Sequence, residues 1–166
     1  MTRTDESWEE SLRTFVRPDT VMVGIGNRLR GDDAFGPLVA DRLAGKTAWG
    51  VLDAGETPEN YLGRIAAFEA HRILLLDAAC WGGSAGEVAF LLPDRVAGTG
   101  VSTHAVSLRL LSGLLAGRVS CSVGLLAVAP RSTSFLAPLS PEVAAALDRV
   151  CQALIRLGSG VACANG

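Results

Sequence analysis

The fold is decided by Val21–Gly36, which reads Val-Met-Val-Gly-Ile-Gly-Asn-Arg-Leu-Arg-Gly-Asp-Asp-Ala-Phe-Gly. An apolar run ends in a glycine turn, and the turn brings the adjacent aspartates Asp32 and Asp33 to the start of a helical pattern. In open α/β sheets, ligands bind at the carboxyl ends of strands that turn into helices in this way. The stretch therefore predicts an α/β fold with a site beside Asp33.

Strand and helix patterns alternate along the rest of the chain. Short apolar runs predict buried strands, and apolar residues three or four positions apart predict helices. This alternation predicts a mostly parallel sheet with helices on both faces, in which the run at 87–92 returns as one antiparallel strand. The other predicted strands span 20–26, 49–53, 72–77 and 121–129, and the predicted helices span 35–43, 58–68, 105–115 and 141–157.

The length of 166 residues predicts one main domain. We place it at residues 18–158, between an N-terminal extension at 1–17 and a C-terminal tail at 159–166. The extension fits either a short amphipathic helix or an unstructured tail. Ser140 and Pro141 are expected to begin the last helix as its N-cap and first-turn residues.

Composition excludes several classes of protein. No apolar run approaches the ~20 residues that a membrane span needs, and the charged start does not resemble a signal peptide. A net charge of -2 predicts no affinity for nucleic acid or for anionic lipid. The four cysteines are widely spaced and are expected to be reduced thiols. These features predict a soluble, cytoplasmic protein.

Three aspartates lie at or just beyond predicted strand ends: Asp33, Asp53 and Asp77. His104 lies in a loop before a predicted helix. Carboxylates and a neutral imidazole that converge on one sheet edge suit a borderline divalent metal such as nickel, zinc or iron. Such a set would leave coordination positions open for substrate or water.

Simpler interpretations of the same residues stay open. Asp32 or Asp33 at a helix start fits an N-cap, and an aspartate after a strand fits a turn. His104 fits a solvated or capping residue. Cys80 fits a small buried packing residue better than an auxiliary metal ligand. On spacing alone, the metal site is the minority interpretation.

The first glycine turn also imitates a dinucleotide-binding fingerprint. Gly24-x-Gly26 follows a strand, and Asp53 ends the next strand where a ribose-binding acid is found. Two features argue against this class of site. Leu29 occupies the third glycine position, and Asp32 and Asp33 place negative charge where a pyrophosphate would bind.

Five motifs in unbroken order resemble the hydrogenase maturation endopeptidases, which process the large subunit of nickel-iron hydrogenases. The likeness runs from about residue 20 to residue 157 and includes Pro58-Glu-Asn60, which is similar to the branch that serves hydrogen-evolving, formate-linked hydrogenases. The motifs are Gly24–Pro37, Leu52–Asn60, Leu74–Ala78, Gly86-Glu87 and Ser102–His104.

The resemblance implies a twisted sheet of five strands in a three-layer sandwich. It also implies that Asp33, Asp77 and His104 bind metal and carry catalysis, although many relatives have glutamate at the position of Asp33. The implied metal is nickel that arrives with the substrate, and no organic cofactor is implied. Asp53 and Gly55 are expected to line the substrate cleft.

The implied reaction is metal-assisted hydrolysis that removes a C-terminal extension from a nickel-loaded hydrogenase large-subunit precursor. Asp32 is the nearest candidate for a general base. The alternative is a nickel-dependent binding module, or chaperone, that holds the precursor without cutting it.

Overall fold

The computed structural model describes residues 7–92 and 121–162. Its centre is a five-stranded sheet in the order β2-β1-β3-β5-β4, in which β4 alone runs antiparallel to its neighbour. This confirms the predicted α/β class and its single antiparallel strand. The strands are β1 (Thr20–Gly24), β2 (Gly50–Asp53), β3 (Arg72–Ala78), β4 (Val88–Leu91) and β5 (Ser122–Val128).

Four α-helices accompany the sheet within the described residues. Short 3-10 helices precede two of them, at Gly31–Ala34 and at Pro58–Tyr61. The α-helices are α1 (Trp8–Phe15), α2 (Phe35–Leu43), α3 (Leu62–Ala66) and α4 (Pro141–Ala162).

Side chains on the two faces of the sheet form separate cores. On β3, Leu74 and Leu76 point to one face, where they pack in a buried cluster with residues of α1, α2 and α4. Ile73 and Leu75 point to the other face, into a cluster that includes Ile65 of α3. Helices on both faces bury the central strand, which explains its continuous apolar run.

From residue 8 onward, the N-terminal segment forms an amphipathic helix and not an unstructured tail. Leu12 and Phe15 of α1 are buried in the first core, and Phe15 lies 5.3 Å from Phe90 of β4 between ring centroids. Ser7 caps the helix by accepting a hydrogen bond from the amide of Glu10.

The last helix begins as predicted but ends later. Ser140 precedes it, and the Ser140 hydroxyl accepts from the amide of Val143. The helix continues past the expected end at residue 157 to Ala162. Gly158 is a packing residue rather than a helix terminator, because a Cβ there would lie 2.8 Å from the Cβ of Thr47.

The helix predicted at 58–68 is divided and shorter than expected. Its first turn is the 3-10 helix, α3 ends at Ala66, and Glu69 adopts a positive φ of 52°. Phe68, at the end of the predicted helix, is 44% exposed and lies over Gly50. The helix predicted at 105–115 lies outside the described residues.

Helix length and cysteine pairing in the structure relate to two of the predictions from composition. Within residues 7–92 and 121–162, no helix is both long and apolar enough to cross a lipid bilayer. Cys80, Cys121 and Cys151 are free thiols, as expected. Burial raises the pKa of the Cys151 thiol to about 11, so it stays protonated at neutral pH.

The first turn of α2 packs directly against the backbone of the strand ends at Gly36. A Cβ at this position would collide with the carbonyl oxygens of Leu76 and Ile25, and it would lie 2.6 Å from the Ile25 amide nitrogen. The amide of Ile25 donates to the carbonyl of Leu76 at 2.8 Å. Only glycine lets the start of α2 lie this close to the strand ends.

We expect Gly36→Ala to lower the free energy of unfolding by at least about 2 kcal/mol, because rigid backbone atoms surround the added methyl group. The matched control is Gly63→Ala in α3, where a Cβ meets no atom within 4 Å. The control should be neutral or stabilising by up to about 1 kcal/mol. Urea denaturation measures both, and equal stabilities would contradict the contact at Gly36.

Candidate active site

Asp33 is held at the sheet edge by the turn that precedes it. Gly26 has a φ of 140°, and a Cβ there would collide with the carbonyl oxygen of Asp33. The tight turn allows the amide of Asn27 to donate to Oδ2 of Asp33 at 2.8 Å. Asp33 is buried. Backbone geometry therefore fixes the direction of this carboxylate.

Asp77 lies near the carboxyl end of β3, opposite Ala127 of β5 in the parallel register. The side chain is 1% exposed. The 3-10 helix that carries Asp33 contacts β3, the strand that carries Asp77. The structure thus brings the elements that carry these two predicted site residues to the same edge of the sheet.

The third predicted ligand, His104, lies outside the described residues. Among the residues that the structure does describe, no three histidines, cysteines, aspartates or glutamates are grouped so as to hold a metal ion. A three-ligand site at Asp33, Asp77 and His104 therefore stays a prediction.

Asp53 forms the turn after β2 and also an ion pair. Its Oδ1 accepts from the amide of Gly55 at 3.0 Å, and its Oδ2 accepts from Arg28 at 2.7 Å. Gly55 has a φ of 58°, and a Cβ there would meet nothing within 4 Å. The backbone at Gly55 therefore faces open space beside the glycine turn, whose Gly26 amide donates to the Gly55 carbonyl.

Arg28 connects the turn after β1 with its neighbours. Its guanidinium donates to Asp41 of α2 and to Asp53. These hydrogen bonds raise the pKa of Arg28, and the bond from Arg28 lowers the pKa of Asp41. The guanidinium of Arg28 is half exposed, so water weakens its attraction to the two carboxylates. The main effect of Arg28 is therefore to orient the side chain of Asp53.

Asp32 is buried and fully hydrogen-bonded, whereas a general base needs a carboxylate that can reach the substrate or a water molecule. Its side chain is inaccessible to solvent. Its carboxylate accepts four hydrogen bonds, from the amides of Arg131, Ser132 and Ser140 and from the Ser140 hydroxyl, at 2.7–3.1 Å. The candidate role as a general base is therefore wrong, since this carboxylate joins the loop at 131–140 to the turn after β1.

The N-cap interpretation of the two aspartates is also wrong for α2. Ala34 occupies the N-cap position of that helix and makes no side-chain hydrogen bond there. Asp32 instead binds a loop about 100 positions later in the chain, and Asp33 accepts from the amide of Asn27. Ser140 is the partner that sequence reasoning missed, because its cap role gave no sign of a second contact with Asp32.

Cys80 follows Asp77 by three positions and differs from its prediction. It was expected to be a buried packing residue, but it is exposed. The chain leaves the sheet at Ala79, whose amide donates to the carbonyl of Val128, so Cys80 already lies in the loop beyond the strand. Packing against the core does not explain its presence.

Comparison with known proteins adds the decisive observation. A family model described as HycI, hydrogenase maturation protease, matches residues 38–157. The chain belongs to the hydrogenase maturation protease family. The matched segment contains Asp53, Asp77 and His104, and it begins just after the turn that carries Asp33.

Individual relatives match a larger share of the chain. The hydrogenase 3 maturation protease of Escherichia coli K12 is 32% identical over 137 residues, which are 81% of this chain and 87% of the relative. The crystal structure of the nickel-iron hydrogenase maturation protease HycI from Thermococcus kodakarensis KOD1 has a TM-score of 0.82 and 32% identity. That match covers 90% of this chain and 99% of the other.

The crystal structure of a hydrogenase 3 maturation protease has a TM-score of 0.71 and 32% identity, and the match covers 80% of this chain and 86% of the other. The relatives therefore share the fold across the sheet edge described above. The chain is a peptidase of the hydrogenase maturation family, as the five sequence motifs indicated.

We expect Asp32→Asn to lower the free energy of unfolding by about 3 kcal/mol, because an amide nitrogen would face the hydrogen-bond donors that now bind a buried carboxylate. Asp148→Asn is the matched control. Asp148 is exposed and pairs with Arg42 on the surface, so loss of this ion pair should lower the free energy of unfolding by about 1 kcal/mol or less.

Urea denaturation measures both variants, and limited proteolysis should detect a loosened loop at 131–140 in Asp32→Asn alone. A variant at position 32 that is as stable and as protease-resistant as the control would contradict the role of Asp32 in joining the two loops.

Proposed function

We propose that this protein removes the C-terminal extension of a nickel-iron hydrogenase large-subunit precursor after nickel has been inserted. The observation that carries the proposal is the placement of Asp33 and Asp77, two buried carboxylates on contacting elements at the carboxyl edge of the sheet. Membership in the maturation protease family supplies the substrate class, because the similar proteins are named for hydrogenase maturation.

In this proposal, the substrate's own nickel ion binds to Asp33, Asp77 and His104. Carboxylate oxygens and a neutral imidazole are suitable ligands for a borderline divalent ion. Burial strengthens the attraction between the carboxylates and the cation, because little water screens them. Binding through the metal would let the enzyme accept only precursor that is already loaded.

The substrate nickel also provides the chemistry of hydrolysis. A divalent ion polarises a peptide carbonyl or lowers the pKa of a bound water. The role of this protein is to hold the ion and the peptide bond next to each other. Asn27 contributes by donating its amide to Asp33, which fixes one predicted ligand before substrate arrives.

Asp53 and Gly55 would line the cleft for the extension. Gly55 offers an unobstructed backbone, and Asp53 is oriented by Arg28 and by the Gly55 amide. An extended substrate segment would lie along this turn. We further propose that the reaction takes place in the cytoplasm, a reducing compartment that suits the three free thiols of the described residues.

We expect Asp77→Asn and His104→Ala to reduce cleavage of nickel-loaded precursor at least about a hundredfold, because each removes a ligand of the substrate nickel. Mass spectrometry of the shortened large subunit measures the rate. The matched control is His71→Ala. His71 is exposed and pairs with Asp19. It precedes β3, at the end of the sheet opposite the carboxyl edge. Nickel-free precursor should stay intact with every form of the enzyme.

Unimpaired processing by either variant would contradict the assigned ligands. Binding of nickel-loaded precursor without any cleavage by the wild-type protein would instead favour the nickel-dependent chaperone.

A further inference from the structure

Exposed large apolar side chains are concentrated beside the turn that carries Asp33. Within the described residues, five large hydrophobic side chains are exposed, and Leu29, Phe135 and Leu136 are three of them, at 56%, 63% and 68%. We call these three residues the apolar rim. They come from two loops that are more than 100 positions apart in the chain, so local sequence does not explain why they meet.

The two loops of the rim are fastened together by backbone contacts. The amide of Leu136 donates to the carbonyl of Leu29 at 2.7 Å, and the amide of Asp32 donates to the carbonyl of Ser132 at 2.9 Å. A Cβ at Gly31 would lie 2.6 Å from that same Ser132 oxygen. The rim is therefore a preorganised surface, since both loops are held before anything binds.

Leu136 is held in an unfavourable backbone conformation. Its φ is 59°, a value that branched side chains rarely adopt. The strained residue exposes its side chain rather than burying it, so the hydrophobic core does not compensate for the strain. Strained residues that the surrounding structure holds in place are found at binding sites.

The rim borders the proposed active site and carries a positive charge. Leu29 lies in the same turn as Asp33, whose amide donates to the carbonyl of Arg30 at 3.0 Å. Of the neighbouring guanidiniums, Arg28 pairs with two aspartates and Arg131 pairs with Glu142. No ion pair joins the exposed Arg30 side chain to any residue in 7–92 or 121–162.

We propose that the apolar rim binds an extended apolar segment of the precursor's C-terminal extension, with a carboxylate of that segment against Arg30. This inference rests on the proposed function, because it names the part of the precursor that binds beside the cutting site. Contact with the rim would place the neighbouring peptide bond at Asp33 and Asp77.

A second copy of this chain is a weaker candidate for the occupant. Three partly exposed side chains present a few hundred Å² of apolar surface. A stable protein–protein interface buries about 800 Å² on each partner. A peptide segment that is also held through its metal does not need so large a surface.

The test measures binding and cleavage of a nickel-loaded large-subunit precursor from the same organism by Leu29→Ser and Phe135→Ser. Each substitution should raise both Kd and KM about tenfold, because an apolar contact to the extension is lost. The kcat should change less than about twofold, since the contact is present in both the ground state and the transition state. Arg30→Gln should weaken binding at low salt and much less at high salt.

The matched control is Phe68→Ser. Phe68 is also exposed, but it lies over Gly50 at the start of β2, on the opposite edge of the sheet. Its Kd and KM should equal those of the wild type, and thermal melts should show that all four variants are folded.

The outcomes separate this inference from the proposed function. If the wild type cleaves the precursor and both rim variants keep its Kd and KM, the rim proposal is overturned. If the wild type binds without cleaving and the rim variants bind about tenfold more weakly, the proposed function fails and the rim is supported. If the wild type does not bind the precursor, both the proposed function and the rim proposal are overturned. If the rim variants lose self-association but bind the precursor as the wild type does, the rim is the contact surface for a second copy of this chain, and the rim proposal is overturned.

Discussion

The close packing of the first turn of α2 against β3 and the strand end at Ile25 determines where the candidate site lies. Gly36 lies against the carbonyl oxygens of Leu76 and Ile25, with no room for a side chain. This contact holds the start of α2 directly against β3, the strand that carries Asp77. Asp33, which precedes α2, is thereby carried to the same edge of the sheet.

Two adjacent aspartates perform different tasks in this arrangement because their surroundings differ. Asp32 is enclosed by four hydrogen-bond donors and joins a loop from the far end of the chain to the turn. Asp33 is also buried, and its carboxylate accepts a hydrogen bond from the amide of Asn27 in the turn after β1. Asp32 thus holds together the turn after β1 and the loop at 131–140, which carry Asp33 and the apolar rim.

Periodic local patterns predicted most of the fold, because strand and helix periodicity is a property of neighbouring residues. The strand bounds agree with the structure to within one or two residues, and the helix at Phe35–Leu43 was predicted with the correct bounds. Two patterns misled. Gly158 resembles a helix end but is a close contact with Thr47, and Cys80 resembles a packing residue but lies in an exposed loop.

The candidate site was less predictable than the fold. The strand-end positions of Asp33 and Asp77 predicted that the elements carrying them lie at one edge of the sheet, because parallel strands share their carboxyl ends. The four bonds to Asp32 join positions about 100 residues apart, and no local pattern signals them. The apolar rim was missed for the same reason, since its loops meet only through tertiary hydrogen bonds.

We propose that the substrate nickel binds directly to this protein. The most direct measurement is the nickel X-ray absorption spectrum of loaded precursor, rapidly frozen before and after mixing with the enzyme. We expect new oxygen and nitrogen ligands on the nickel after mixing, and fewer of them with His104→Ala. A nickel spectrum that stays unchanged in a complex shown to have formed would contradict it.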